Sequence, residues 1–246
     1  MTAAERGFSV TLLEKNAYLG GQMYLSSLPP HKAKMHYFIS YAEKQMKDLG
    51  VEIRLNTAAD AEMIKEMNPY AVIIATGSAP VMPRSIKGID GDNVYSPVEV
   101  LTEAVEIRNK RVCIIGSGLT GLETGEFLVE KGCEVSIYEM QDKIAPGGFA
   151  LVSMEEEGAL AKAGVRMCPG HKLLELREDA AVFEDNAGFV IEEPCDVAVV
   201  SLGIRPVNNL KEELSDLPNV SVIGDAGQLG RIPQAVEGGY KAALAL

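Results

Sequence analysis

Apolar and polar positions along this chain follow two periods. Short apolar runs closed by glycine or an acidic residue read as strands: "GFSVTLLE" ending at Glu14, "AVIIATG" ending at Gly77, Val112 to Ile115, "GCEVSIYE" ending at Glu139 and "VAVVSLG" ending at Gly203. After Ile115 the spacing becomes helical. Leu119, Leu122, Leu128 and Val129 share a face, and Gly121 and Gly125, one turn apart, allow close packing. Further on, "HKLLELREDAAVFEDNAGFVIEEP" (His171 to Pro194) alternates apolar and polar residues between turn signals. It reads as a β-meander whose acidic positions form its solvated side.

Two of these strands recur. The pattern G-x-x-V-[ST]-[IL]-x-E occurs at Gly7–Glu14 and again at Gly132–Glu139, an offset of 125 residues. The strands ending in Gly77 and Gly203 match at an offset of 126. Matched pairs at nearly one offset indicate two copies of one αβ plan. In the second copy, Gly116, Ser117, Gly118, Leu119, Thr120 and Gly121 give G-x-G-x-x-G between a strand and a helix. Gly116 suits the tight turn, and Gly118 lets backbone N–H groups approach a pyrophosphate at the positive end of that helix. Glu139 follows Gly116 by 23 residues, at the end of the next strand, where an acidic side chain accepts hydrogen bonds from an adenosine ribose. A carboxylate there also repels a 2′-phosphate, so NADH is expected over NADPH. In the first copy the loop would fall before residue 1, because Met1 aligns with Glu126, inside the helix. The expectation is a first domain lacking its first strand and glycine loop, in a chain truncated at its N-terminus.

Composition narrows the function classes. Hydrophobic residues make up 47% and charged residues 24%, as in globular proteins with a real core. The net charge of −12 argues against a nucleic-acid groove or an anionic membrane surface. No apolar run approaches a membrane span and "MTAAERG" is no signal peptide, so the expected location is the cytoplasm. Cys113, Cys133, Cys168 and Cys195 show no C-x-x-C spacing, and His31 and His36 lie five apart, on different helix faces. No metal site is expected.

"VTLLEKNAYLGGQ", "PYAVIIATGSAPVMP", the Gly116–Gly121 loop and "VSVIGDAGQLGRIPQAVEGGYKAA" together resemble the flavoproteins with two dinucleotide-binding domains. More narrowly, the chain looks like the C-terminal half of the NADH:flavin oxidoreductases related to 2,4-dienoyl-CoA reductase and trimethylamine dehydrogenase. The resemblance implies an α/β fold of two Rossmann-like three-layer domains, the second inserted in the first. Residues 1–105 and 208–246 would bind FAD and 106–207 would bind NAD. Glu14 and Lys15, with Gly21 and Gln22, would serve the FAD side. Ala75, Thr76 and Gly77 would line the crossing between domains, and Gly224 and Asp225 would meet the ribityl and pyrophosphate portion. Asp225 also reads as a helix N-cap. Glu123 matches a glutamate near the nicotinamide in related reductases and reads equally as a solvated helix position; Gly203 would sit close to the nicotinamide. The cofactors carry the chemistry, so no catalytic side chain is expected.

The implied function is hydride transfer from NADH to FAD, with FAD binding weakened by the absent loop. The module would be the electron-entry half of a larger enzyme, its partner domain or subunit carrying FMN and an iron–sulfur cluster. The alternative is a non-catalytic NAD(H)- or ADP-binding subunit that needs a partner chain.

Overall fold

The computed structural model describes residues 1–148 and 150–246, and they divide into two units. The first unit comprises Met1–Ser27, Lys32–Ala79 and Arg205–Leu246, the second Leu28–His31 and Pro80–Ile204. In chain order the elements begin with α1 (Thr2–Glu5), β1 (Thr11–Leu13), α2 (Gln22–Leu25), α3 (Met35–Asp48), β2 (Glu52–Arg54), α4 (Ala61–Glu66), β3 (Val72–Ile74) and β4 (Ser78–Pro80). There follow β5 (Val94–Tyr95), α5 (Pro97–Leu101), β6 (Arg111–Ile115), α6 (Leu119–Glu130), β7 (Glu134–Tyr138), α7 (Ala150–Lys162) and β8 (Arg166–Cys168). The chain continues through β9 (His171–Leu176), β10 (Ala180–Asp185), β11 (Val190–Pro194), β12 (Val197–Val200) and β13 (Ile204–Pro206). It closes with α8 (Leu210–Glu213), β14 (Val220–Val222) and α9 (Ile232–Leu244).

The second unit is built on a five-stranded sheet in the order β5-β12-β6-β7-β8. All of its pairings are parallel. Alternation along β6 assigns its side chains to two cores. Val112 and Ile114 join Val135, Ile137, Val199, Leu122, Leu128 and Leu160, under α6 and α7. Cys113 and Ile115 face the other way, onto Tyr138, Leu173, Ala181 and Phe183. The latter three belong to the antiparallel sheet β11-β10-β9, the meander expected from its alternation. Tyr138 stacks on Phe183 with ring centroids 3.9 Å apart. The unit therefore has three layers: helices, parallel sheet and meander.

The expected boundary at 105/106 is corrected. The chain crosses at Ala79/Pro80, because β5 pairs with β12 and Val100 of α5 is buried in the helix-side core. The return crossing lies at Ile204/Arg205, near the expected 207/208.

The first unit repeats the plan in shorter form. Gly7 and Gly132 both have positive φ (92° and 79°) and end a helix in the same way. The Gly7 N–H donates to Ala4 O and that of Phe8 to Ala3 O; Gly132 donates to Val129 O and Cys133 to Leu128 O. Here, however, the sheet is in two pieces among the described residues. β1 pairs with β2 and β3 with β14, each in parallel register. β1 and β3 are the counterparts of β7 and β12, which in the second unit both flank β6. The core of this unit centres on Ile64, Ile74 and Leu214.

Candidate functional site

In the second unit the sequence-marked residues gather at the C-terminal ends of three neighbouring strands. Gly116 follows β6, Glu139 follows β7, and Gly203 lies beyond β12. Between β6 and β12 the strand order reverses, which opens a crevice at the sheet's C-terminal edge. The loop owes its shape to backbone contacts. Gly116 has φ 99°, and a Cβ there would meet Ser201 O at 2.3 Å. At Gly121 a Cβ would lie 2.2 Å from Gly116 O. Gly118 differs: it is exposed, and an added Cβ would have nothing within 4 Å. It caps α6, so the first-turn amides of a twelve-residue helix open beside that free space. Leu119 is half-buried and Thr120 exposed, and the Thr120 carbonyl accepts from Thr124 Oγ1 at 2.6 Å. Glu123 is half-buried on the same helix, and Gly203 is exposed with φ 94°.

Glu139 is buried, 6% exposed. Its Oε2 accepts from Ser117 N–H at 3.0 Å and from Ser117 Oγ at 2.9 Å, and its Oε1 accepts from Gln141 N–H at 2.9 Å. Ser117 was expected among the cofactor contacts, but its side chain has no exposed surface and turns inward to Glu139.

In the first unit Glu14 ends β1 as Glu139 ends β7. Its Oε1 accepts from Asn16 N–H at 2.8 Å and Asn16 Nδ2 at 2.9 Å. Lys15 beside it is exposed. Gly21, at φ 50°, caps α2, and Gln22 opens that helix. Gln22 Nε2 donates to Ser78 Oγ, which donates to Asp225 Oδ2, both at 3.3 Å. Ser78, which the sequence reading missed, thus joins two marked residues from distant segments. Ala75 and Thr76 are exposed, Thr76 Oγ1 donates to Val207 O, and Gly77 accepts from Val207 N–H at 2.9 Å. Gly224 (φ 57°) and Asp225 form a 3-10 turn after β14. Asp225 is not the α9 cap: that position is Arg231, and Asp225 Oδ1 instead accepts from Gly230 N–H at 3.0 Å.

Cys113 and Cys195 are buried behind the sheet. The Cys113 thiol is pushed up by its hydrogen bond to Cys195 and by burial, while that bond lowers Cys195. Burial, followed by Glu193, pushes up the Tyr138 phenol. These groups lie in the packing between sheet and meander and not at the strand ends.

A parallel sheet with helices on one face and a meander on the other, a glycine loop where its strand order reverses and an acidic residue ending the next strand define a Rossmann-type dinucleotide-binding fold. The chain belongs to the pyridine nucleotide-disulphide oxidoreductase family, whose model matches residues 1–239. It is similar to the NADH oxidase of Thermoanaerobacter brockii, 38% identical over 250 residues, which cover 99% of this chain and 38% of that protein. To the bilirubin reductase of Mediterraneibacter gnavus it is 37% identical over 246 residues, with 99% of this chain and 38% of that protein covered. A solved 2-naphthoyl-CoA reductase complex superposes with a TM-score of 0.92 at 28% identity, covering 99% of this chain and 37% of that one. The chain spans less than two fifths of the length of these relatives. No helix among the described residues is long and apolar enough to cross a membrane.

Proposed function

We propose that the second unit binds NADH, that the first binds FAD, and that the pair forms the electron-entry module of a longer NADH:flavin oxidoreductase. The narrower kinship with 2,4-dienoyl-CoA reductase and trimethylamine dehydrogenase rests on Leu19-Gly20-Gly21-Gln22. The observation that carries the reading is the fingerprint loop. Gly116 and Gly121 are locked against backbone, while Gly118 borders open space at the mouth of the crevice. That is a cradle any larger side chain at 118 would fill, and it fits a pyrophosphate. Glu139 would take the adenosine ribose and, as an anion, disfavour a 2′-phosphate. Glu123 and Gly203 would border the nicotinamide.

On the flavin side the residues present fit in part. Glu14 with Lys15 stands where a ribose would be held, and the Gln22–Ser78–Asp225 chain, with Gly224, stands where a ribityl group would lie. Gly21, Ala75, Thr76 and Gly77 would complete that border. A pyrophosphate loop has no counterpart in this unit among the described residues. Bound nicotinamide and flavin supply hydride transfer between themselves. The chain's own contribution is to bind and orient the two cofactors.

Two facts support a larger assembly. The relatives are much longer, and β1 and β3 each carry an unpaired edge where the second unit places β6. A parallel strand supplied from outside these residues, in cis or from a partner domain carrying FMN and an iron–sulfur cluster, would join the two pieces.

The test is a visible spectrum of the purified protein with added FAD, followed by anaerobic NADH. Flavin that binds and bleaches is the expected result. NADH binding without flavin binding would instead favour a non-catalytic NAD(H)-binding subunit that needs a partner chain. Failure to bind NADH would overturn both.

A further inference from the structure

We propose that Ser117 is a positioning residue: its hydroxyl fixes the Glu139 carboxylate and latches the 141–148 loop to the fingerprint. The inference rests on the reading of Glu139 as the ribose acceptor. A serine between the first two fingerprint glycines would ordinarily be taken as a cofactor contact. This one has 0% exposure, so its hydroxyl is unavailable to a ligand.

The hydroxyl serves two partners at once. It donates to Glu139 Oε2 at 2.9 Å and accepts from the Ala145 N–H at 2.9 Å. Both lie within one buried network, in which an unmade bond would be expensive. Only a hydroxyl at this position can both give and take; alanine or glycine supplies neither bond. Two further contacts pin the loop. Gln141 N–H is held by Glu139 Oε1 at 2.9 Å, and Gln141 O accepts from Gly170 N–H at 2.8 Å. Ala145 marks the tension in this arrangement. It is buried yet sits at φ 48°, a left-handed conformation that alanine avoids, at the residue whose N–H reaches Ser117. The loop is held against local preference, and the bond to Ser117 is what it gains. Through one hydroxyl, the orientation of the ribose acceptor and the closure of the loop after it become a single event.

The experiment compares the native protein with Ser117→Ala by backbone amide hydrogen exchange and by titration with NADH. In the variant, the Ala145 amide should exchange at least about tenfold faster, and NADH should bind about tenfold more weakly. Amides of β6 and β7 should keep native protection, which shows that the sheet is intact. In the native protein, saturating NADH should slow Ala145 exchange further, a readout that needs no variant. Unchanged Ala145 exchange in Ser117→Ala overturns the latch. Released Ala145 with native NADH affinity, or native Ala145 exchange indifferent to NADH, overturns the positioning role. A native protein that binds no NADH overturns the functional reading and the positioning role with it, while exchange without nucleotide still decides the latch.

Discussion

The three fingerprint glycines have different physical reasons to be glycine, and this separates folding from binding. At Gly121 the obstacle is the protein itself, with Gly116 O only 2.2 Å from an added Cβ. Gly121→Ala should therefore lose about 3 kcal/mol of stability in urea denaturation, the upper end of the usual range for forcing extra volume into a packed site. Gly118 has φ −58°, which any residue adopts, and open space beyond it. Gly118→Val should lose only about 1 kcal/mol, the cost of a poorer N-cap residue, and still lose NADH binding. Normal NADH affinity in that variant would show that no pyrophosphate lies over the loop. The spacing of the loop and of Glu139 was legible in the sequence because local geometry dictates both. The inward turn of Ser117 was not: its direction is set by Ala145, 28 residues on. Ser78 was invisible for the same reason, with partners 56 and 147 residues away.

Among the elements, β6 and β12 carry the strand ends that shape the crevice, and their opposite ends are tied by Arg111 and Asp196. The Arg111 N–H donates to Asp196 Oδ2 at 2.9 Å, and its guanidinium reaches Oδ1 at 2.6 Å. The hydrogen bond from the Arg111 side chain, then that from its backbone, holds the Asp196 carboxyl below the usual carboxylate range. A lowered native pKa means that the unfolded chain takes up the proton first. The stabilisation is therefore full above the ordinary aspartate value of about pH 4 and fades as pH falls through the lower native value. Asp196→Asn should be less stable than native at neutral pH, with the gap in urea midpoints closing as pH falls below the ordinary aspartate range. A gap that persists at low pH would assign the effect to packing rather than charge. At this scale the long apolar strands and the meander were legible from periodicity. The domain crossing was misplaced because β5 is only two residues long, and its partner β12 lies about a hundred residues later in the chain. Asp225 was misread as a cap because Gly-Asp before a helical run looks like one, whereas the chain makes a 3-10 turn before α9 begins.

At the scale of the whole molecule, the two copies of the αβ plan differ in what they leave uncovered. The second unit has β6 between β7 and β12, with α6 on its face. In the first unit the corresponding edges of β1 and β3 are open among the described residues. α9 meanwhile exposes Ile232, Val236, Tyr240 and Leu244, a slanting apolar stripe at four-residue spacing. Open strand edges and an apolar stripe both favour association. Opposing them is a net charge of −12, whose mutual repulsion is long-ranged at low salt and screened within about 8 Å at physiological ionic strength. These 246 residues alone should therefore self-associate at about 100 μM, and more strongly as salt rises, when followed by light scattering behind size exclusion. Supplying a strand, glycine loop and helix ahead of Met1, patterned on residues 110–125, should suppress that association and strengthen FAD binding together. Both effects would follow from filling one gap. A monodisperse monomer at every salt concentration would mean that the exposed edges are inert. Suppressed association with unchanged FAD affinity would detach the added strand from the flavin site.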